Sequence, residues 1–299
     1  MSAAPAVIEV VAPGGPPTHN ALVLHGILGS GANWRSFIRR VAADLAARGW
    51  RFVLPDLRGH GDAALPAGPH DVDACARDCA ALEAALGTSF DWVLGHSFGG
   101  KVACAFVRGH ARAPRSLWLL DTPPTAAPLG DRGADSVVRV LAVLASMEVE
   151  AALPNPPEGA VTGEVPAAVA RPRIVARLEA DGVAPAVAAW LGTAVRARSD
   201  GGWGWRFDLP TVRALIADFA ELDCLPWLAT GGLRETRRVV VRGADSDRFP
   251  PGLIAALADP ARAGWLETKL LPDAGHWLHV DNPDGLAALL LAELAAGPW

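Results

Sequence analysis

The stretch Gly95-His96-Ser97-Phe98-Gly99-Gly100 decides the fold. It follows a short apolar run, Trp92-Val93-Leu94, and it opens a helix-like run from Lys101 to Val107. Strand, tight turn and helix succeed one another with a serine at the apex. So sharp a turn brings the entering and leaving backbones nearly into contact, which excludes side chains at Gly95 and Gly99. The Ser97 hydroxyl is pushed out above the sheet, and the following helix aims the positive end of its dipole at it. Such a nucleophile elbow is told from an ordinary glycine-rich βα turn by its partners elsewhere in the chain.

Upstream, Ala21-Leu22-Val23-Leu24 is a continuous apolar run of the kind buried on both faces of a sheet. It runs into His25-Gly26-Ile27-Leu28-Gly29-Ser30. A glycine-rich loop at the C-terminal end of a central strand is where open α/β sheets place their sites. The loop predicts a backbone N–H from Ile27, with Leu28 as a further candidate, aimed at a developing oxyanion. The second donor is the N–H of Phe98, directly after the serine. Phe37 to Arg48 keeps a helical period and Gly49 ends it. Arg51 to Leu54 is the next strand, and Asp56-Leu57-Arg58-Gly59-His60-Gly61 a polar loop in which His60 is read as supporting neighbouring turns. Asp71 to Leu86 is a helix striped by Val72, Cys75, Cys79, Leu82 and Leu86. Val7 to Val11 reads as a short strand before the turn Pro13 to Pro17.

Downstream, Ser116 to Leu120 is a buried strand ending at Asp121-Thr122-Pro123-Pro124. Strands alternating with helices predict a parallel sheet with right-handed crossovers. The alternation then breaks. Between Pro123 and Glu235 no strand is predicted, and helices are expected at Val137–Met147, Arg173–Leu178, Pro185–Ala197 and Leu209–Phe219, with a Pro- and Gly-rich loop at Leu153–Pro166. The expected organisation is a catalytic domain built from residues 1–122 and 236–299, with residues 123–235 inserted as a helical cap. Trp203, Trp205 and Phe207 stand too close in sequence for all three to face inward, so Trp203 and Trp205 join Leu28 and Trp277 as candidate pocket residues. The sheet resumes at Arg238 to Val241. A loop from Arg242 to Phe249, a helix from Pro250 to Ala258 and a last strand from Leu266 to Leu271 follow. That strand exits into Asp273-Ala274-Gly275-His276-Trp277, and a helix from Pro283 to Leu294 closes the chain.

The 299 residues suit one α/β domain with an insertion, and 51% hydrophobic residues fill a large core. A net charge of −5 without a basic stripe argues against nucleic acid and anionic membranes as partners. Four Cys in a chain this long read as buried hydrophobes of a reducing, cytoplasmic compartment, not as a disulfide framework. The first residues lack the charge and apolar pattern of a signal peptide, and no apolar run is long enough for a membrane span. No G-x-G-x-x-G follows a strand with an acid downstream, so neither a cofactor nor a metal is implied.

A serine hydroxyl is a weak nucleophile until a base takes its proton, and the base needs a third group to fix its tautomer. His276 follows the last strand in a Gly-His loop and so reaches the sheet edge beside Ser97. His279 is a competitor that lacks the preceding glycine. Three carboxylates sit at strand ends as candidate acids: Asp121, Asp245 and Asp247.

Together, His25-Gly26, Asp56 to Gly61, Gly95 to Gly100 and Asp273 to Trp277 resemble the α/β-hydrolase fold superfamily. The first and the Gly99-Gly100-Lys101 run are further similar to small bacterial esterases related to mitochondrial abhydrolase-domain proteins. The resemblance implies a mostly parallel sheet flanked by helices. It also departs from the common pattern, in which the acid stands three residues after the glycine of the late loop, because that position is Ser246. In the resembled esterases a serine there accompanies an aspartate after the strand following the elbow. This implies Asp121 as the acid with Ser246 as an auxiliary partner, Asp247 as the alternative and Asp245 third. The expectation is a serine hydrolase of carboxylic esters or thioesters acting on a small-molecule acyl substrate. Its rivals are a C–C hydrolase or perhydrolase on the same triad and a ligand-binding protein with a vestigial triad. Oligomeric state is not legible.

Overall fold

The computed structural model describes residues 6–11, 16–44, 49–110, 112–130, 136–152, 157–158, 160–229, 235–259 and 266–296. Residues 1–5, 13–15 of the expected first turn, 45–48 of the expected helix, and 153–156 and 159 of the expected loop lie outside them. The chain begins with β1 (Val7–Val11), β2 (His19–Leu24), α1 (Ala32–Ala43), β3 (Trp50–Pro55), α2 (Val72–Leu86), β4 (Trp92–His96), α3 (Phe98–Gly109) and β5 (Ser116–Leu120). An insertion follows: α4 (Val137–Ala152), α5 (Ala167–Ala180), α6 (Pro185–Gly192), β6 (Val195–Ala197), β7 (Trp203–Trp205), α7 (Leu209–Glu221) and α8 (Leu225–Leu228). The chain then adds β8 (Arg237–Gly243), α9 (Pro251–Leu257), β9 (Glu267–Leu271), α10 (Leu278–Asp281) and α11 (Pro283–Ala296).

Seven strands form one sheet in the order β1-β3-β2-β4-β5-β8-β9. Only β1 runs antiparallel, with Val7 opposite Pro55; the other neighbours are parallel. Period-2 alternation sorts the apolar strand residues into two cores. Leu22, Leu24 and Val93 pack with α2, α3 and α9, whereas Ala21, Val23, Trp92 and Trp118 pack with α1 and α11. Because β3, β2, β4, β5, β8 and β9 are parallel, they all end at one edge and deliver six loops there. That edge carries the site.

Local signals explain several boundaries. Asp71 caps α2 by accepting from Ala74 N–H at 2.6 Å, and Gly87 ends it in the left-handed conformation. Helix α1 starts five residues before the expected Phe37, with Asn33 Oδ1 accepting Ser30 N–H at 2.7 Å.

The insertion departs from the expectation. It holds a two-stranded ribbon, β6 against β7, where only helix and loop were expected, and the expected helix Pro185–Ala197 stops at Gly192. Trp203, Trp205 and Phe207 are all buried. A strand puts residues i, i+2 and i+4 on one face, so three aromatics at this spacing do face inward together, with Trp205 and Phe207 stacked at 5.1 Å. They join α4, α5, α6 and α7 in a third core. Its edge is sewn to the sheet domain through a bridge between Phe207 and His60 and through Asp208 N–H donating to Gly59 C=O at 2.8 Å. Among the described residues no helix is long and apolar enough to cross a membrane.

Candidate active site

The elbow is built by steric exclusion. A Cβ at Gly95 would stand 2.1 Å from Gly99 O, and one at Gly99 would stand 2.5 Å from His25 O. Ser97 takes φ 51° and ψ −118°, a left-side conformation that costs an L residue on the order of 1–3 kcal/mol and is held by its surroundings. Thr122 Oγ1 donates to Ser97 C=O at 3.0 Å and so braces the turn from the end of β5.

Ser97 Oγ lies 3.1 Å from His276 Nε2, and His276 Nδ1 donates to Asp121 Oδ2 at 2.7 Å. Asp121 is fully buried at φ 44° just beyond β5. Its Oδ1 accepts Gly243 N–H at 3.0 Å, and its Oδ2 also accepts the Ser246 hydroxyl at 2.6 Å. Asp247 is turned away: its carboxylate is half exposed and pairs with Arg248 Nε at 3.1 Å. Asp245 is exposed as well. His279 does not face the serine; its ring stacks on Trp34 at 4.1 Å, and burial lowers its pKa to about 4. His96 Nε2 donates to the His276 C=O at 2.8 Å, which ties the residue before the serine to the loop carrying the histidine. Burial drives the His96 pKa well down.

The loop after β2 presses on the elbow, since a Cβ at Gly26 would stand 3.4 Å from Ser97 Cβ. Leu28 N–H, one of the two candidate donors of that loop, is taken by His60 Nε2 at 3.0 Å. Phe98 N–H belongs to the first turn of α3, where helical N–H groups have no intrahelical acceptor.

Above Ser97 lies a cavity of about 480 Å³. Leu28 and Trp277 line it as expected, together with Val140, Val187 and Trp190 of the insertion and Phe219 of α7. Trp203 and Trp205 do not; the strand alternation that buries them in the third core takes them out of the pocket. Nor does the Phe98 ring, which is fully buried 6.0 Å from the Phe219 ring. Lys101, at the cavity wall, was read from sequence only as part of the Gly99-Gly100-Lys101 run, without a role. It is 1% exposed and donates to the carbonyls of Thr125, Phe219 and Leu222 at 2.7–2.9 Å. Beyond its place in the Gly99-Gly100-Lys101 run, its signal is a long cation in the first turns of a helix that stays apolar from Val102 to Val107.

Residues 21–289 match the sequence profile of the alpha/beta hydrolase family. The chain belongs to that family. Among its curated relatives, the α/β hydrolase is 28% identical to Lipase LipV of Mycobacterium tuberculosis over 288 residues, 96% of this chain and 97% of the lipase. It is 26% identical to the sn-1-specific diacylglycerol lipase ABHD11 of Danio rerio over 271 residues, 87% of this chain and 73% of the relative. A soluble epoxide hydrolase of Corynebacterium sp. is 33% identical over 110 residues, a match that spans 37% of either chain. Among solved structures, a marine microorganism esterase superposes with a TM-score of 0.73 at 20% identity, covering 96% of this α/β hydrolase and 99% of the esterase.

Proposed function

We propose that the protein is a serine hydrolase of carboxylic esters, thioesters included, working through an acyl-enzyme. The observation that carries this is the hydrogen-bonded line Ser97–His276–Asp121 at the floor of an apolar cavity. Ser97 Oγ attacks the acyl carbon while His276 Nε2 takes its proton. Asp121 holds His276 in the Nδ1–H tautomer and stabilises the imidazolium. The carbonyl oxygen, now negative, receives the N–H groups of Phe98 and Ile27; one such donor is worth about 10²–10³ in kcat. His276 then protonates the leaving alcohol or thiol. Water, activated by the same histidine, releases the acid and restores Ser97.

The insertion, residues 123–235, serves as the cap over this site, and its Val140, Val187 and Trp190 receive the acyl chain. A mostly apolar wall suits a neutral acyl group. The full-length likenesses to Lipase LipV and to the marine esterase support the class of reaction. Four free, buried cysteines support a reducing, cytoplasmic location.

The test is steady-state hydrolysis of p-nitrophenyl esters from short to long acyl chains by wild type and Ser97→Ala side by side. Multiple turnovers lost in Ser97→Ala are expected, with the chain-length optimum sizing the cavity. Equal rates in the two proteins, or none at any length, overturn the assignment.

A further inference from the structure

Two buried histidines, His25 and His60, have no part in the proton transfers above, yet both bond the loop over Ser97. His25 Nδ1 donates to Gly26 C=O at 2.8 Å, and its Nε2 accepts Leu57 N–H at 2.9 Å. His60 Nδ1 donates to Arg58 C=O at 3.0 Å, and its Nε2 accepts Leu28 N–H at 3.0 Å. Each ring therefore carries its proton on Nδ1 and is neutral, because a backbone N–H occupies the lone pair of Nε2. Burial favours the same state, lowering His25 to about 4 and His60 to about 3. The rings meet edge to face at 5.1 Å and join the loop after β2 to the loop after β3.

Their partners are consecutive peptide groups. The carbonyl of Gly26 and the N–H of Ile27 share one planar unit and point in opposite directions. Gly26 C=O accepts from His25 Nδ1 and also from Gly29 N–H at 3.1 Å. Holding that carbonyl fixes the direction of the Ile27 N–H and polarises it in the sense that strengthens its donation. The following peptide is turned aside: Leu28 sits at φ 62°, and its N–H points into His60. Consecutive amides that would otherwise compete for one anion are thereby separated.

We propose that His25 and His60 are positioning residues for the oxyanion site. His25 aims the Ile27 N–H, and His60 withdraws the Leu28 N–H, so the loop offers one oriented donor beside that of Phe98. The proposal rests on the serine hydrolase reading above. His60 is the cleaner test, because it is buried and does not line the cavity.

The experiment compares wild type, His60→Gln and His60→Leu. Glutamine places an acceptor where Nε2 stands, and leucine removes it. Two readouts are taken: ester turnover, and affinity for an aryl trifluoromethyl ketone, whose hemiketal on Ser97 carries the oxyanion. In His60→Leu, kcat is expected to fall at least about tenfold, toward the roughly 10²–10³ of a lost donor. KM stays within about twofold, and ketone affinity falls in parallel with kcat/KM. His60→Gln recovers most of both. Unchanged kcat and ketone affinity in His60→Leu overturn the proposal, as does a glutamine variant no better than leucine. Should His60→Leu fail to fold, His25→Asn against His25→Leu gives the same comparison at Nδ1, since the asparagine amide keeps the donor to Gly26. A wild type that neither turns over esters nor forms the Ser97 adduct overturns the hydrolase reading itself and this proposal with it.

Discussion

Ser246 Oγ donates to Asp121 Oδ2 at 2.6 Å, the same carboxylate oxygen that takes His276 Nδ1 at 2.7 Å. With Gly243 N–H on Oδ1, the buried charge has three donors and one orientation. Asp121→Asn is expected to lower kcat by about 10³–10⁴, the scale seen when a triad acid becomes an amide. Ser246→Ala removes one hydrogen bond to a charge and is expected to cost roughly tenfold. Asp247→Asn should leave kcat within about twofold, because its carboxylate faces solvent and Arg248. Steady-state kinetics on one ester checks all three; a loss in Asp247→Asn equal to that in Asp121→Asn refutes the assignment of the acid.

Lys101 is braced by three carbonyls, two of them at the C-terminal end of α7, where a helix presents its negative pole. Three acceptors call for three N–H donors, so the protonated ammonium is the form that fits. Lys101→Met leaves these buried carbonyls without that partner, at about 1–3 kcal/mol for each one that water cannot reach. A fall in Tm of several degrees is expected, with a broadened acyl-length profile as α7 loosens. Calorimetry together with the ester series checks this; an unchanged Tm counts against the brace.

The buried histidines set an acid limit on stability. His25 and His279 fall to about 4 and His60 to about 3 in the folded state, against 6.5 when exposed. Between those values the unfolded chain binds more protons than the native one, so stability rises with pH. It is fully present above 6.5 and is lost as pH falls below it, by about 1.4 kcal/mol per pH unit for each histidine still neutral in the fold. Melting curves from pH 7.5 to 4.5 should show a progressive drop beginning near 6.5, and His279→Phe, which keeps a ring on Trp34, should shallow it. A flat profile would contradict the burial argument.

Val187 of α6 faces the cavity above Ser97. Val187→Trp is expected to move the acyl optimum to shorter chains, while kcat/KM for acetate esters stays within about threefold. The p-nitrophenyl ester series measures it, and an unmoved optimum places the acyl chain elsewhere.

Much of the architecture was legible because it depends on local rules. Gly95 and Gly99 announce a turn that tolerates no side chain, and the two-faced apolar strands announce a parallel sheet. The order of the loops already placed Ser97, Asp121 and His276 at one edge, where the structure brings them within hydrogen-bond reach. What was not legible depends on partners remote in sequence. A strand of three residues is too short to show a period, so β7 was missed, and with it the inward face shared by Trp203, Trp205 and Phe207. Lys101 was passed over because its acceptors are backbone carbonyls, which have no signature in a sequence. His60 was read as a loop support, but its acceptor role toward Leu28 needs two loops in register.

The insertion is attached unevenly. At the Phe207 side it is held by backbone bonds to Gly59 and His60, by Asp218 accepting Val72 N–H at 2.8 Å, and by Lys101. At the α6 side Trp190 meets Trp277 ring to ring, at 5.2 Å. Such an attachment is a door with its hinge at one jamb and a soft latch at the other. The directional bonds thus gather beside the loop after β3, while the two tryptophans meet through dispersion between rings, which fixes no angle and costs little to slide.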